Sequence, residues 1–254
     1  MHVWRALCGL LLLGFMCPSM AAPQRVLSLD LCTDWLLAWH VPRTQVVALS
    51  PLHQQQYPVE WLGAAWPTHD GSLEHILQLA PDLVLAGEYN ASLLQRRLRQ
   101  LGVRVETLPL PRTLQQMYAY EQRVLSLLGL PVERASPIPT MREVSAERPR
   151  LLLLGANGIG TGQNTLENQL IQQAGWRNYL PESGYISLNL EDIVAHPPDA
   201  ILWAAPLRPA LANRFAEHPV LRRAVPAERW LRSEYWRWQC PGPWTWELIK
   251  QLQP

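Results

Sequence analysis

One stretch of this sequence occurs twice, and the repetition limits the folds that the chain can adopt. Glu74 and Glu191 hold the same place in the two copies, 117 positions apart, and Asp82 and Asp199 are separated by the same number. Copies with identical internal spacing predict two lobes of one design. The copies are residues 71–86 and residues 188–203.

Each copy predicts a short helix, a proline stop and a buried strand. Ser72 and Asn189 precede the helices, and their side-chain oxygens can accept hydrogen bonds from the first-turn N–H groups. Pro81 and Pro198 cannot continue the helices. The residues that follow are apolar on both faces, which is typical of a parallel sheet covered by helices. The predicted strands are residues 83–86 and 200–203.

Strands and helices alternate along most of the chain, which indicates α/β lobes with mostly parallel sheets. A further helix is predicted over residues 113–128, and the segment after it contains Pro137 and Pro139. We interpret this region as a short, proline-interrupted connection between the lobes. The predicted division is residues 22–112 for the N-terminal lobe, 113–149 for the connecting helical segment and 150–254 for the C-terminal lobe.

The first 21 residues have the pattern of a signal peptide. Arg5 precedes an apolar run that ends at Met16 and is too short to span a membrane. Ser19 and Ala21 supply the small residues that a signal peptidase reads. The formal net charge is +1 and there is no basic run, so nucleic acid is not expected as a partner. We therefore predict an exported, soluble protein.

Two cysteines, Cys32 and Cys240, lie beyond the predicted cleavage site. An oxidising compartment permits a disulfide between them, which would tie the region of the first strand to the last loop. The alternative is a pair of small buried thiols. The sequence leaves both interpretations open.

Taken together, these features resemble the periplasmic substrate-binding proteins of ABC importers for ferric siderophores, haem and cobalamin. The resemblance rests on the opening strand at residues 25–29, on the repeat, and on a segment from Gly160 to Gly175. That segment and Trp66 are most similar to the cobalamin-binding members. The resemblance implies two α/β lobes joined by a helix, a ligand cleft between the lobes, a periplasmic location and no catalysis. The connecting segment of this chain is shorter than is usual in the family.

The resemblance also assigns a role to Glu74 and Glu191. In the family, a glutamate at this point of each lobe pairs with arginines of the membrane permease. We therefore expect a monomer that docks through both glutamates on ABC importer permease subunits at the inner membrane. The alternative is that each carboxylate only complements the dipole of its helix.

Candidate ligand-binding residues follow from the rule that open α/β sheets bind ligands at the carboxyl ends of their strands. Broad aromatic faces suit a planar metal chelate such as cobalamin, a ferric siderophore or haem. The resemblance of Trp66 and of the segment from Gly160 to Gly175 slightly favours cobalamin. Trp236 and Trp238 are predicted to share one face of a strand. The candidates are Cys32, Tyr57, Trp66, Tyr89, Thr161, Tyr185, Trp236 and Trp238.

A secreted enzyme is the alternative function. The glycine-rich loop at residues 155–162 could hold a phosphorylated or nucleotide ligand, although its spacing is not that of a dinucleotide-binding loop. We expect instead that its glycines let the backbone approach a bulky ligand. The histidines are scattered, so no direct metal site is expected. No resident cofactor is expected either, because the chelate would be cargo.

Overall fold

The chain forms two α/β lobes, each built around one β-sheet. The computed structural model describes residues 22–55, 59–63, 66–137, 140, 147–205, 211–234 and 236–254. The predicted signal peptide lies outside these residues. Two lobes with mostly parallel sheets and a helical connection confirm the predicted fold class.

Four parallel strands form the sheet of the N-terminal lobe, in the order β2-β1-β3-β4. Leu83 and Leu85 pack on one face of the sheet, and Val84 and Ala86 pack on the other. The apolar run is therefore buried on both sides, as predicted. The strands are β1 (Val26–Ser28), β2 (Val46–Ala48), β3 (Leu83–Gly87) and β4 (Val105–Leu108), and the helices are α1 (Leu31–His40), α2 (Leu52–Gln55), α3 (Leu73–Gln78) and α4 (Ser92–Gln100).

A single helix, α5 (Leu114–Leu127), connects the lobes. Thr113 caps it, because its hydroxyl accepts a hydrogen bond from the backbone N–H of Gln116 at 3.0 Å. Near the start of α5, Met117 packs in the core of the C-terminal lobe, whereas Val124 packs in the N-terminal core. The helix therefore belongs to both cores. The predicted lobe boundaries at residues 112 and 149 remain predictions.

The sheet of the C-terminal lobe has six strands and is mixed. Strands β10, β9 and β5 run parallel, β6 runs antiparallel to both β5 and β8, and β7 pairs with the start of β5. The strands are β5 (Arg150–Leu154), β6 (Ile159–Thr161), β7 (Arg177–Asn178), β8 (Tyr185–Ser187), β9 (Ala200–Trp203) and β10 (Trp230–Arg232). The helices are α6 (Leu166–Ala174), α7 (Leu190–Ala195), α8 (Arg214–Glu217), α9 (Pro219–Ala224), α10 (Trp236–Gln239) and α11 (Trp244–Gln251).

Short 3-10 helices complete the connections between these elements. They are Arg43–Gln45, Glu60–Leu62, Val132–Arg134, Ala156–Gly158, Leu211–Asn213 and Ala227–Arg229.

The two copies of the repeat form equivalent elements. The first gives α3 and β3, and the second gives α7 and β9. The Ser72 hydroxyl accepts from the N–H of His75 at 3.2 Å, and the Asn189 carbonyl oxygen accepts from the N–H of Glu191 at 2.9 Å. Strand β3 pairs with β1, and β9 pairs with β5, so each repeat strand lies beside the first strand of its lobe.

A segment near the end of the chain, residues 236–245, crosses between the lobes, and we call it the crossing segment. Trp236 and Trp244 pack in the N-terminal core, whereas Trp238 packs against the C-terminal core. A disulfide joins Cys240 of the crossing segment to Cys32 on α1, 208 positions earlier. The lobes are therefore connected by α5, by shared packing and by a covalent bond.

Candidate functional site

A cavity of about 360 Å³ lies between the lobes, and we call it the cleft. On the N-terminal side, Tyr89 follows β3 and Arg112 follows β4, as expected for ligand sites at the carboxyl ends of parallel strands. Glu167 and Tyr185 come from the C-terminal lobe. The crossing segment supplies a third wall. Further lining residues are Leu110, Leu166, Arg237, Trp238, Pro241 and Thr245.

One tyrosine from each lobe lines the cleft. Tyr89 is 69% exposed and Tyr185 is 67% exposed. The Tyr89 hydroxyl accepts a hydrogen bond from Arg112 at 3.4 Å, and the Tyr185 hydroxyl donates to the carboxylate of Glu167 at 3.2 Å. Desolvation of the hydroxyl and, after it, the charge of Glu167 raise the pKa of Tyr185 to about 12. Tyr185 therefore stays protonated at neutral pH and keeps its hydrogen bond to Glu167.

Two arginines line the cleft, and they differ in their partners. The guanidinium of Arg237 donates to the carboxylate of Glu234 at 2.7 Å, which neutralises it. Among the described residues, no carboxylate forms an ion pair with Arg112. Arg112 therefore carries a positive charge that a carboxylate or another anionic ligand group could pair with.

Trp238 lines the cleft, whereas the side chain of Trp236 points to a different side of the same segment. Both lie in α10, a helix, so the predicted strand is wrong. The backbone N–H of Arg237 donates to the carbonyl of Glu234 at 3.1 Å, which is a turn contact rather than a ladder bond. Residues two positions apart point to different sides of a helix. Trp236 consequently packs in the N-terminal core, and the indole of Trp238 donates to the Ser233 hydroxyl.

Three other candidates are absent from the described lining of the cleft. Cys32 is in the disulfide. Trp66 packs against the N-terminal core, and its indole donates to the carbonyl of Leu62 at 2.8 Å. Thr161 is buried within β6. Tyr57 lies outside the described residues.

Arg112 and Glu167 are cleft residues that the sequence reasoning missed. Arg112 could have been found, because it follows a predicted strand by only a few residues. Glu167 gave no such signal, because it lies in the first turn of α6 after a loop.

The glycine-rich loop at residues 155–162 is packed against protein, and the expectation that it accommodates a ligand is wrong. A Cβ on Gly160 would lie 2.6 Å from Leu180, and one on Gly162 would lie 2.1 Å from the carbonyl of Glu182. The loop leads into β6, which pairs with β5 and β8. The glycines are therefore required by the close approach of neighbouring chain segments.

A larger cavity, of about 1000 Å³, also borders the crossing segment. Its charged residues are paired, since Lys250 binds Glu247 at 2.8 Å and Arg237 binds Glu234. Ring centroids in its tryptophan cluster lie 5.4–6.2 Å apart. We take the smaller cleft as the candidate ligand site, because polar groups of both lobes converge there. The tryptophans that line the larger cavity are Trp39, Trp61, Trp236, Trp244 and Trp246.

Glu74 and Glu191 lie in the first turns of α3 and α7, and both are exposed. Among the residues that the structure describes, neither carboxylate has a hydrogen-bond or ion-pair partner.

No group of three or more His, Cys, Asp and Glu side chains in the described part of the chain could hold a metal ion. Within the same residues, no helix has the length and apolar character needed to span a bilayer.

No protein-family model and no curated protein matches the sequence. Solved structures do match. A periplasmic heme-binding protein from Pseudomonas aeruginosa is 22% identical, with 91% of each chain covered and a TM-score of 0.67. The chain has the fold of periplasmic substrate-binding proteins. The periplasmic heme-binding protein HutB of Vibrio cholerae is 17% identical, with 91% of this chain and 97% of that chain covered and a TM-score of 0.67.

The same fold is found in the periplasmic vitamin B12-binding protein BtuF of Vibrio cholerae. It is 17% identical, with 91% of this chain and 95% of that chain covered and a TM-score of 0.61. Coverage of nearly the whole length of each protein shows that both lobes follow this fold.

Proposed function

We propose that this protein is a periplasmic solute-binding protein that encloses a metal chelate in the cleft and delivers it to an ABC importer. The cleft carries the proposal, because Tyr89 and Arg112 of one lobe and Glu167 and Tyr185 of the other line a single cavity. The fold supports it, since solved examples are described as heme- and B12-binding proteins. The protein performs no chemistry on its cargo.

We propose an anionic chelate such as haem as the cargo, in preference to cobalamin. Arg112 offers the cleft an unpaired positive charge, and the carboxylates of haem can bind a guanidinium through two hydrogen bonds. The preference for cobalamin rested partly on Trp66, which packs against the N-terminal core. Ferric siderophores with carboxylate groups satisfy the same requirement.

The test is a tryptophan-fluorescence titration of the exported protein with haemin, cyanocobalamin and a panel of ferric siderophores, corrected for absorption by the coloured ligands. Trp238 lines the cleft, so a bound chelate should quench its emission. We expect saturable quenching by haemin. Flat responses to every chelate, from a protein shown to be folded, would contradict the proposal.

Arg112→Gln should weaken haemin binding by about tenfold or more, because it removes a hydrogen bond to a charged group. Haemin with esterified carboxylates should bind the variant and the wild type equally. Leu93→Ala is the control, since Leu93 is 72% exposed and lies outside the described cleft lining. Equal haemin affinity for Arg112→Gln and the wild type would remove the case for an anionic ligand.

We also propose that Glu74 and Glu191 dock the loaded protein on the permease. Their exposure and lack of partners among the described residues support this role. Exposed charges steer and orient an encounter more than they add affinity. One carboxylate from each lobe would orient the cleft over the pore.

A further inference from the structure

The crossing segment contributes both shape and charge to the cleft. Arg237 and Trp238 line the cavity, and their side chains form hydrogen bonds close by in sequence, with Glu234 and Ser233. Their position relative to the N-terminal wall of the cleft therefore follows from the position of the crossing segment and of the two residues, Ser233 and Glu234, that lead into it.

The opposite wall of the cleft is connected to the start of α1. Next to Tyr89, the side-chain amide of Asn90 donates a hydrogen bond to the carboxylate of Asp30. Asp30 also caps α1 and accepts from the backbone N–H of Cys32 at 3.0 Å. The loop that carries Tyr89 is thus linked to Cys32 through one buried carboxylate.

The disulfide connects this wall of the cleft to the crossing segment. Cys32 is bonded to Cys240, which is 1% exposed and lies one residue before the cleft residue Pro241. Hydrogen bonds through Asp30 link Cys32 to the loop of Tyr89, and the disulfide links Cys32 to the crossing segment. The loop of Tyr89 and the crossing segment are therefore joined by a continuous series of two hydrogen bonds and one covalent bond.

We propose that the Cys32–Cys240 disulfide is a positioning element of the ligand cleft. It sets the separation between the wall that bears Tyr89 and the crossing segment, and so determines how long a ligand is held. This inference rests on the proposed function of the cleft. Loss of the bond leaves the binding groups unchanged but loosens their arrangement, so the effect falls mainly on ligand dissociation.

Three variants test the proposal: Cys32→Ser, Cys240→Ser and the double variant. Haemin dissociation is followed by transfer to excess apomyoglobin. We expect dissociation about tenfold faster in all three variants, since each removes the same bond, with a smaller change in the association rate. Ile193→Val is the control for lowered stability, because Ile193 is buried in α7 away from the crossing segment.

Hydrogen exchange of the ligand-free protein gives a second readout. In the double variant, amides of residues 236–245 should exchange faster while those of β1 and β3 stay protected. Unchanged exchange in the crossing segment, or wild-type haemin dissociation from all three variants, would overturn the inference. Failure of the wild type to bind any chelate would instead overturn the proposed function.

Discussion

The two lobes begin their sheets in the same way. The carboxylate of Asp82 accepts from the backbone N–H of Arg25, just before β1, at 3.1 Å. The carboxylate of Asp199 accepts from the N–H of Arg150, at the start of β5, at 2.7 Å. In each lobe the arginine side chain also donates to a backbone carbonyl at the end of the repeat helix. Through these hydrogen bonds, Asp82 and Asp199 hold the repeat of each lobe to the first strand of that lobe.

The lobes differ in the polar groups that they bury. The N-terminal lobe buries ionisable side chains, including Asp34, His53 and His69. In the described part of the C-terminal lobe, the buried polar side chains are amides and hydroxyls, such as Asn168 and Asn178. The lobes therefore share a framework but differ in the polar groups of their interiors, and pH should act mainly on the stability of the N-terminal lobe.

The variants with the largest expected effect test whether the two lobes contribute equally to docking on the permease. The double variant Glu74→Ala with Glu191→Ala should reduce uptake of the ligand by more than about tenfold in cells that carry only this copy, with ligand affinity unchanged. The two single variants, Glu74→Ala and Glu191→Ala, should each reduce uptake by a similar factor. The control is the double variant Glu133→Ala with Glu228→Ala, which removes two other exposed glutamates. Normal uptake by the first double variant would exclude docking through these residues.

The second prediction tests whether pH affects the stability of the N-terminal lobe more than that of the C-terminal lobe. Burial raises the pKa of Asp34 from 3.8 to about 8. Its carboxyl is therefore protonated in the folded protein, whereas the unfolded chain ionises above its ordinary pKa. The stability that protonated Asp34 contributes is present below pH 3.8 and is lost as pH rises towards 8.

Relative to Asp34→Asn, the wild type should lose up to several kcal/mol of unfolding free energy from pH 4 to pH 8, at about 1.4 kcal/mol per unit of pKa shift. Denaturant unfolding at a series of pH values measures the difference. Hydrogen exchange should place the loss in β1 and β3 rather than in β5 and β9. Parallel pH profiles for the two proteins would show that Asp34 does not titrate in this range.

A smaller effect is expected from the aspartates that the lobes share. Asp82→Ala and Asp199→Ala should each lower the unfolding free energy by about 1 kcal/mol, because each leaves a strand N–H without its acceptor. The two losses should add in the double variant, since the sites are far apart. Thermal unfolding provides the measurement, and Asp192→Ala is the control for loss of an exposed carboxylate. A large loss of unfolding free energy in only one of the two variants would show that Asp82 and Asp199 are not equivalent.

The smallest effect concerns the helix caps. Ser72→Ala and Asn189→Ala should each cost about 0.5–1 kcal/mol, whereas Ser72→Asn should be nearly neutral. Chemical denaturation of the three variants tests this ranking. Equal stability of Ser72→Ala and the wild type would mean that the hydroxyl of Ser72 contributes little to α3.

The repeat made the fold predictable, because its caps, prolines and apolar runs act locally and occur twice. Tyr89 and Tyr185 were found in the cleft through the carboxyl-end rule, although Tyr185 begins a strand rather than ending one. Trp66 and Trp236 pack against the N-terminal core and lie outside the described lining of the cleft. The sequence could not show this, because an aromatic residue gives the same local signal whether it faces a core or a ligand. The direction of Trp236 depends on α10, a short helix whose sequence also suits a strand.

The packing of the crossing segment has a consequence for the order of folding. Cys240 and Trp244 belong to the core of the N-terminal lobe and Trp236 packs against it, yet all three lie more than 200 positions after β1. Contacts of such long sequence separation form late and slow the folding of a chain. The N-terminal lobe is therefore not an autonomous folding unit. Part of its apolar surface stays uncovered until residues 236–244 have packed onto it.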